Sequence, residues 1–329
     1  MKYDVLAIGD PTTDCFIRLK DARVTCDIHD ENCLLSLRFG DKVPFEFAEE
    51  VAAVGNAANA AAACARLGLT AAFRGSVGPD RNGETIIDTF KKNGVITDLI
   101  LTEEGKVTNY HYVLWYESER TILIKHESFT NSMPKLETPP QWIYLSSLGE
   151  GTETYQHEIA AYVAANPETK LAFQPGTFQI ALGSEALKDI YANTEIFFCN
   201  KQEAQKILAT QEEDEKKLLV GIRSLGPKIV IVTDGRKGSY IMTNDGVWHA
   251  PMYPDPKPPL ERTGAGDATS STTMAYLIKG LPPHEALLRG HINSAYVVQE
   301  IGAQKGLRTA EQIEELYERR PSDFVATAL

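Results

Sequence analysis

Short apolar runs alternate with longer helix-forming stretches along almost the whole chain, and this alternation limits the possible folds more than any other feature. Val5 to Ile8, Ala71 to Arg74, Trp142 to Leu145, Leu171 to Gln174, Ile196 to Cys199 and Ile229 to Thr233 read as buried strands. The alanine-rich Ala52 to Leu67 and the segment Glu84 to Asn93 read as helices between them. Strand–helix–strand units in series predict an α/β fold, a mostly parallel central sheet flanked by helices.

Two stretches, at about 15–47 and 106–126, break the rhythm. In the second, Tyr110, Tyr112 and Leu114, then Ile122 and Ile124, alternate with a period of two, which predicts antiparallel ribbons forming a small inserted β-sheet lid. A chain of 329 residues accommodates one large domain or two ordinary ones. No Gly/Ser-rich linker divides it, so the expectation is a single domain, 1–329, carrying the lid. Tyr253 to Pro259 is a proline-rich loop, and Thr309 to Arg320 reads as a charged surface helix.

A net charge of −12 with no Lys/Arg run argues against a nucleic-acid partner, and no uncharged span reaches transmembrane length. The five cysteines include no CxxC pair, so neither a disulfide framework nor a zinc site is expected. That usage, with the absence of a secretory leader pattern in MKYDVLAIGD, points to the cytoplasm.

Three segments carry chemistry when taken in order. Thr263-Gly264-Ala265-Gly266-Asp267 leads into a helical pattern, so small residues present N–H groups to an anion where Asp267 can take a proton. Alone, it is also a turn followed by an acidic first helical turn. The loop Thr233-Asp234-Gly235-Arg236-Lys237-Gly238 follows a strand and offers a hydroxyl, glycines and two cations to nucleotide phosphates, although it also suits a hairpin turn. Asn200 and Glu203, three apart after another strand, suit a hydrated Mg²⁺, or a simple capping box.

With these segments, Gly9-Asp10 and Asp14 after the first strand, Gly55 to Ala60 (GNAANA) and Gly75 to Gly83 (GSVGPDRNG), the chain resembles the ribokinase-like (PfkB-type) carbohydrate kinase family over nearly its whole length. The resemblance implies a ribokinase-like fold, ATP and Mg²⁺ as cofactors, and a small sugar or nucleoside as acceptor. It makes Asp267 the base, with the Gly264, Ala265 and Gly266 amides around the transferring phosphoryl group. It also implies Asn200 and Glu203 on Mg²⁺ through water, and Thr233, Gly235, Gly238 and Asn293 along ATP. Asp14, Gly55, Asn56 and Asn59 would hold the acceptor, with Arg120 reaching it from the lid. Lid edges would pair two copies into a homodimer.

Two departures stand out. Glu261-Arg262-Thr263 replaces the Asp-Thr-Thr or Asp-Thr-Asn that many members carry, which puts a K⁺ site in doubt, and Val54 takes the place of a glycine, with the expectation of a narrower sugar pocket. A primary hydroxyl on ribose, fructose or a 2-keto-3-deoxy acid is the expected acceptor, with an adenosine-like nucleoside as the alternative. A catalytically silent ligand-binding protein of the same fold is a rival. A nicotinamide dehydrogenase requires G-x-G-x-x-G where this chain reads Gly9-Asp10-Pro11-Thr12-Thr13-Asp14.

Overall fold

The computed structural model describes residues 2–26, 33–117 and 119–329; residues 27–32, inside the expected lid, lie outside them. The chain opens with β1 (Val5–Ile8), β2 (Thr12–Leu19) and β3 (Phe45–Val54), followed by α1 (Asn56–Arg66), β4 (Ala71–Arg74) and α2 (Arg81–Lys92). Two further strands, β5 (Tyr110–Tyr116) and β6 (Glu119–Leu123), precede β7 (Trp142–Ser146), α3 (Glu153–Ala165), β8 (Lys170–Gln174), β9 (Thr194–Asn200), α4 (Lys201–Ile207), α5 (Glu215–Ser224) and β10 (Ile229–Thr233). The hairpin β11 (Ser239–Met242) and β12 (Val247–Ala250) leads to α6 (Ala265–Ile278), α7 (Pro283–Val297), α8 (Ala310–Glu318) and β13 (Thr327–Ala328).

Nine strands form the central sheet in the order β13-β12-β11-β10-β9-β8-β7-β1-β4. The run from β10 to β4 is parallel, and β11, β12 and β13 add antiparallel to one edge. Alternate residues of one strand go to opposite cores: Val5, Ala7, Trp142 and Tyr144 to the face that holds α1 and α7, Leu6, Ile8, Ile143 and Leu145 to the face that holds α3 and α5. Both faces are covered, which is why these strands read as unbroken apolar runs. The alanines of α1 let it lie close to α6, and on α7 a Cβ at Gly290 would come within 2.6 Å of the Thr269 carbonyl oxygen, so α6 is gripped on two sides.

From β1 the chain builds outward to β4 on one side, and from β7 outward to β10 on the other, so the strand order reverses between β1 and β7. Ligands of open α/β sheets bind at such a reversal, beyond the carboxyl ends of the strands.

A separate four-stranded sheet, in the order β6-β5-β2-β3, stands over that end. It differs from the expected ribbons in two ways. β2 pairs with β5 in parallel, and β3 extends to Val54, so Ala52 and Ala53 belong to a strand rather than to the alanine-rich helix; Gly55, at φ 106°, breaks the chain between the two. Val113 and Trp115 point inward, whereas Tyr112 and Leu123 are about half exposed on the opposite face.

Cys26 and Cys33 form a disulfide beside the small hairpin of Arg23–Thr25 and Leu34–Ser36, which corrects the expectation of no disulfide. Cys15, Cys64 and Cys199 are buried thiols, and burial pushes Cys64 up to about 12. No helix among the described residues is long and apolar enough to cross a membrane.

Candidate active site

The carboxyl ends of the parallel strands deliver the floor of the site: Asp10 beyond β1, Ser147 beyond β7, Gln174 ending β8, Asn200 ending β9 and Thr233 ending β10. These residues line a cavity of about 380 Å³, roofed by His111, Arg120, Ile122, Ile124 and His126 from the lid side.

At its centre is Asp267, in the first turn of α6 and only 7% exposed. Its Oδ1 accepts from Asn56 Nδ2 at 2.7 Å and Gln174 Nε2 at 3.0 Å, and its Oδ2 accepts from Asn59 Nδ2 at 2.7 Å. Each amide is fixed from behind: Asn56 Oδ1 accepts from Ser147 Oγ, Asn59 Oδ1 from Gln304 Nε2 at 3.0 Å, and Gln174 Oε1 from Ser270 Oγ at 3.0 Å and from Tyr144 Oη. A carboxylate has about four lone-pair sites, and three donors leave one open, on Oδ2. A hydroxyl entering the cavity finds its acceptor there. Burial, with the Asp267 charge behind it, holds Tyr144 well above the ordinary phenol range, so its Oη stays a donor.

Directly before Asp267 the chain makes an anion cradle. Gly264 caps α6 in the left-handed region (φ 79°), and a Cβ there would lie 2.3 Å from Ala303 Cβ, so only glycine fits. Gly266 faces open space. Its N–H and that of Asp267 have no acceptor among the described residues and stand at the positive end of α6. Thr263 Oγ1, also in the cavity wall, is buried without a partner.

Toward the lid lie two carboxylate–imidazole pairs. Asp14 Oδ1 is 3.3 Å from His111 Nδ1, and Asp10 Oδ2, which accepts from the Gly149 N–H at 2.8 Å, is 3.5 Å from His126 Nδ1. Asp14 Oδ1, His111 Nε2 and Arg120 Nε are buried and make no hydrogen bond among the described residues. Unmatched acceptors and donors side by side are what a polyhydroxylated ligand satisfies.

A second groove, of about 160 Å³, opens along Thr233, Gly235, Gly238 and the face of α7, and shares Thr233, Arg262, Gly266 and Thr269 with the first cavity. The 233–238 loop is thus both a hairpin turn and a groove wall; Lys237 is tied to Asp234 at 3.0 Å, while Arg236 lines the groove. His291, in the same wall, donates from Nδ1 to the Pro251 carbonyl and accepts from Ser239 Oγ, both at 2.7 Å; burial lowers its pKa to about 4, so it is neutral.

Several expected roles change. Asn293 lies off the groove, wholly buried, bonded to Thr272 Oγ1 and the Arg308 N–H, and its neighbours Ser294 and Ala295 do the lining. Asn56 and Asn59 spend their donors on Asp267 rather than on the pocket. Val54 is buried at the end of β3 and does not line the cavity, so it cannot narrow it. Asn200 and Glu203 form a reciprocal capping box, 2.8 and 2.9 Å. Burial holds the Glu203 carboxyl above the usual range, and the Asp267 charge adds to this, so a cation between them would relieve both. Glu261 accepts from the Thr263 N–H at 2.6 Å and the Gly302 N–H at 3.0 Å, the extra methylene giving it the reach to clasp two loops. Gln174, Ser147, His111 and His126 escaped the sequence reading. Strand ends signal the first two; nothing in the sequence separates the two histidines from other lid residues.

Known proteins share this fold and family pattern. The model of the pfkB family of carbohydrate kinases matches residues 36–310. An uncharacterized sugar kinase of Archaeoglobus fulgidus is 25% identical over 251 residues, 74% of this chain and 96% of that protein. The ribokinase of Haemophilus influenzae is 26% identical over 277 residues, 82% of this chain and 88% of that one. The crystal structure of a Methanocaldococcus jannaschii nucleoside kinase, an archaeal member of the ribokinase family, superposes with a TM-score of 0.79 at 20% identity, covering 97% of this chain and 99% of that one.

Proposed function

The chain belongs to the pfkB family of carbohydrate kinases, and from that premise we propose that it transfers the γ-phosphoryl group of MgATP to a primary hydroxyl of a small sugar. The observation that carries this reading is the single open lone pair on Asp267 Oδ2, held beside free helix N–H groups where two cavities meet. ATP lies along Thr233, Gly235 and Gly238, with its γ-phosphate beside Gly264 at the free amides of Gly266 and Asp267, the Ala265 N–H being turned to the Arg262 carbonyl instead. Asp267 takes the acceptor's proton as the bond to phosphorus forms, and the fixed N–H dipoles balance charge without reorganising.

Asp10, Asp14 and Gly55 face the acceptor, with Arg120, His111 and His126 closing on it from the lid. Mg²⁺, when bound with the nucleotide, neutralises phosphate charge, and Glu203 and Asn200 hold its water. No group of three His, Cys, Asp or Glu side chains among the described residues is arranged to hold a metal ion. Glu261 gives one lone pair of each oxygen to a main-chain N–H and so ties two loops together, a structural role that leaves K⁺ out of the proposed cofactors.

In this reading residues 1–329 form one kinase domain and two copies pair through the exposed lid face that carries Tyr112 and Leu123; the Cys26–Cys33 bridge removes the cysteine argument for the cytoplasm. A second reading, a nucleoside acceptor, is favoured by Phe178, whose ring lies edge-on to His126 at 5.4 Å and offers a flat wall to a base. Measuring ADP release over a panel of sugars and nucleosides tests both; no release with any member would remove the kinase assignment.

A further inference from the structure

Arg262 stands where the two cavities of the candidate site meet. Among the described residues, Thr233, Arg262, Gly266 and Thr269 line both the acceptor cavity and the nucleotide groove, and Arg262 is the cation of the four. Its backbone is pinned on both sides: the Leu260 N–H donates to the Val298 carbonyl at 2.8 Å, and the flanking Glu261 carboxylate accepts from the Thr263 and Gly302 N–H groups. Its guanidinium, by contrast, is exposed and makes no hydrogen bond or ion pair among the described residues. A long charged side chain on an immobile stem, with the charge of Asp255 in the groove wall acting on it but no hydrogen-bonded partner among the described residues, stands at a junction of two clefts as a group able to take an anion.

We infer that Arg262 is a catalytic residue that clamps the transferring phosphoryl group, a cationic finger supplied by the chain itself. The inference rests on the kinase reading above. In the step, the acceptor oxygen forms its bond to the γ-phosphorus and passes its proton to Asp267. The bond from that phosphorus to the β–γ bridging oxygen breaks, its electron pair leaving with ADP. Charge on the equatorial oxygens sits between two sets of donors, the Gly266 and Asp267 N–H groups on the helix side and the Arg262 fork on the other. The fork matches phosphate geometry through two parallel N–H bonds, and an arginine so placed acts mainly in the transition state. Arg236 lies farther along the groove and lines only that groove, at the expected place of the non-reacting phosphates.

The test needs no knowledge of the acceptor. Binding of MgADP, alone and with tetrafluoroaluminate as a mimic of the transferring phosphoryl group, is measured by calorimetry for the unsubstituted protein, Arg262→Met and Arg262→Lys. The Met variant should bind MgADP normally and melt at an unchanged temperature, yet bind the aluminium fluoride complex roughly a hundredfold more weakly, with Lys in between. Equal affinity of the complex for the unsubstituted and Met proteins overturns the inference and leaves the kinase reading intact. An unsubstituted protein that fails to bind MgADP removes that reading, and this inference with it.

Discussion

Two glycines of one motif should fail in opposite ways when each is replaced by alanine. Gly264 sits at φ 79°, and its added Cβ would meet Ala303 Cβ at 2.3 Å and Ala303 Cα at 2.5 Å. The left-handed backbone costs a non-glycine residue about 1–2 kcal/mol, and forcing a methyl into a packed site adds about 1–3 kcal/mol. With an unfolding entropy of about 2.1 cal/mol/K per residue over 329 residues, a loss of ~3 kcal/mol lowers the melting temperature by roughly 4 °C. Gly266 has nothing within 4 Å of its added Cβ. Alanine there removes up to about 1 kcal/mol of helix penalty, so Gly266→Ala should melt no lower than the native protein. Its methyl enters the cleft, however, and holds the phosphoryl group off the amide, lowering turnover about a hundredfold, the usual cost of one lost oxyanion donor. Thermal melting and coupled ADP-release assays on both variants read the two effects separately. Full turnover in Gly266→Ala would refute the claim that this amide touches the reacting group.

Other outcomes follow from the same geometry. Asn59→Leu strands the Asp267 carboxylate and Gln304 in a buried site, so denaturant titration should show a loss of about 1–3 kcal/mol, with turnover falling more steeply than stability. His291 is held neutral with a pKa of about 4 against an ordinary 6.5. The unfolded chain therefore binds the extra proton first, and stability is lost as pH falls through 6.5 to 4, by about 3 kcal/mol in all; His291→Asn should flatten that part of a melting-temperature profile. Glu203→Gln should raise the Mg²⁺ concentration for half-maximal turnover about tenfold, the effect of removing a group that holds metal-bound water. Replacing Tyr112 and Leu123 together by Glu should convert dimer to monomer in light scattering, and a native protein that is already monomeric would discard the lid interface.

The sheet was legible in the sequence because burial on both faces leaves the strand interiors almost wholly apolar, with polar residues such as Gln174, Asn200 and Thr233 at the carboxyl ends that mark the site. The glycine–aspartate motif was legible for a related reason: few residues other than Gly264 fit a left-handed cap against Ala303. The Ala52–Val54 boundary was not, since alanine suits a helix and is tolerated in a strand, and only the tertiary pairing of β2 with β3 decides. Asn56 and Asn59 illustrate another limit. Their spacing places both on one face of α1, but whether an amide serves the base or the ligand depends on Gln174 and Gln304, more than a hundred residues away. The Cys26–Cys33 bridge was invisible for lack of any spacing that distinguishes a pair from bystanders.

The central claim concerns a carboxylate whose last free lone pair receives the acceptor's proton. Turnover of Asp267→Asn, with the best acceptor of a sugar and nucleoside panel and with MgADP affinity measured alongside, addresses it most directly. A fall of about 10²–10⁴ in kcat with nucleotide affinity retained is the predicted result; an asparagine variant working within a few-fold of the native protein would contradict it.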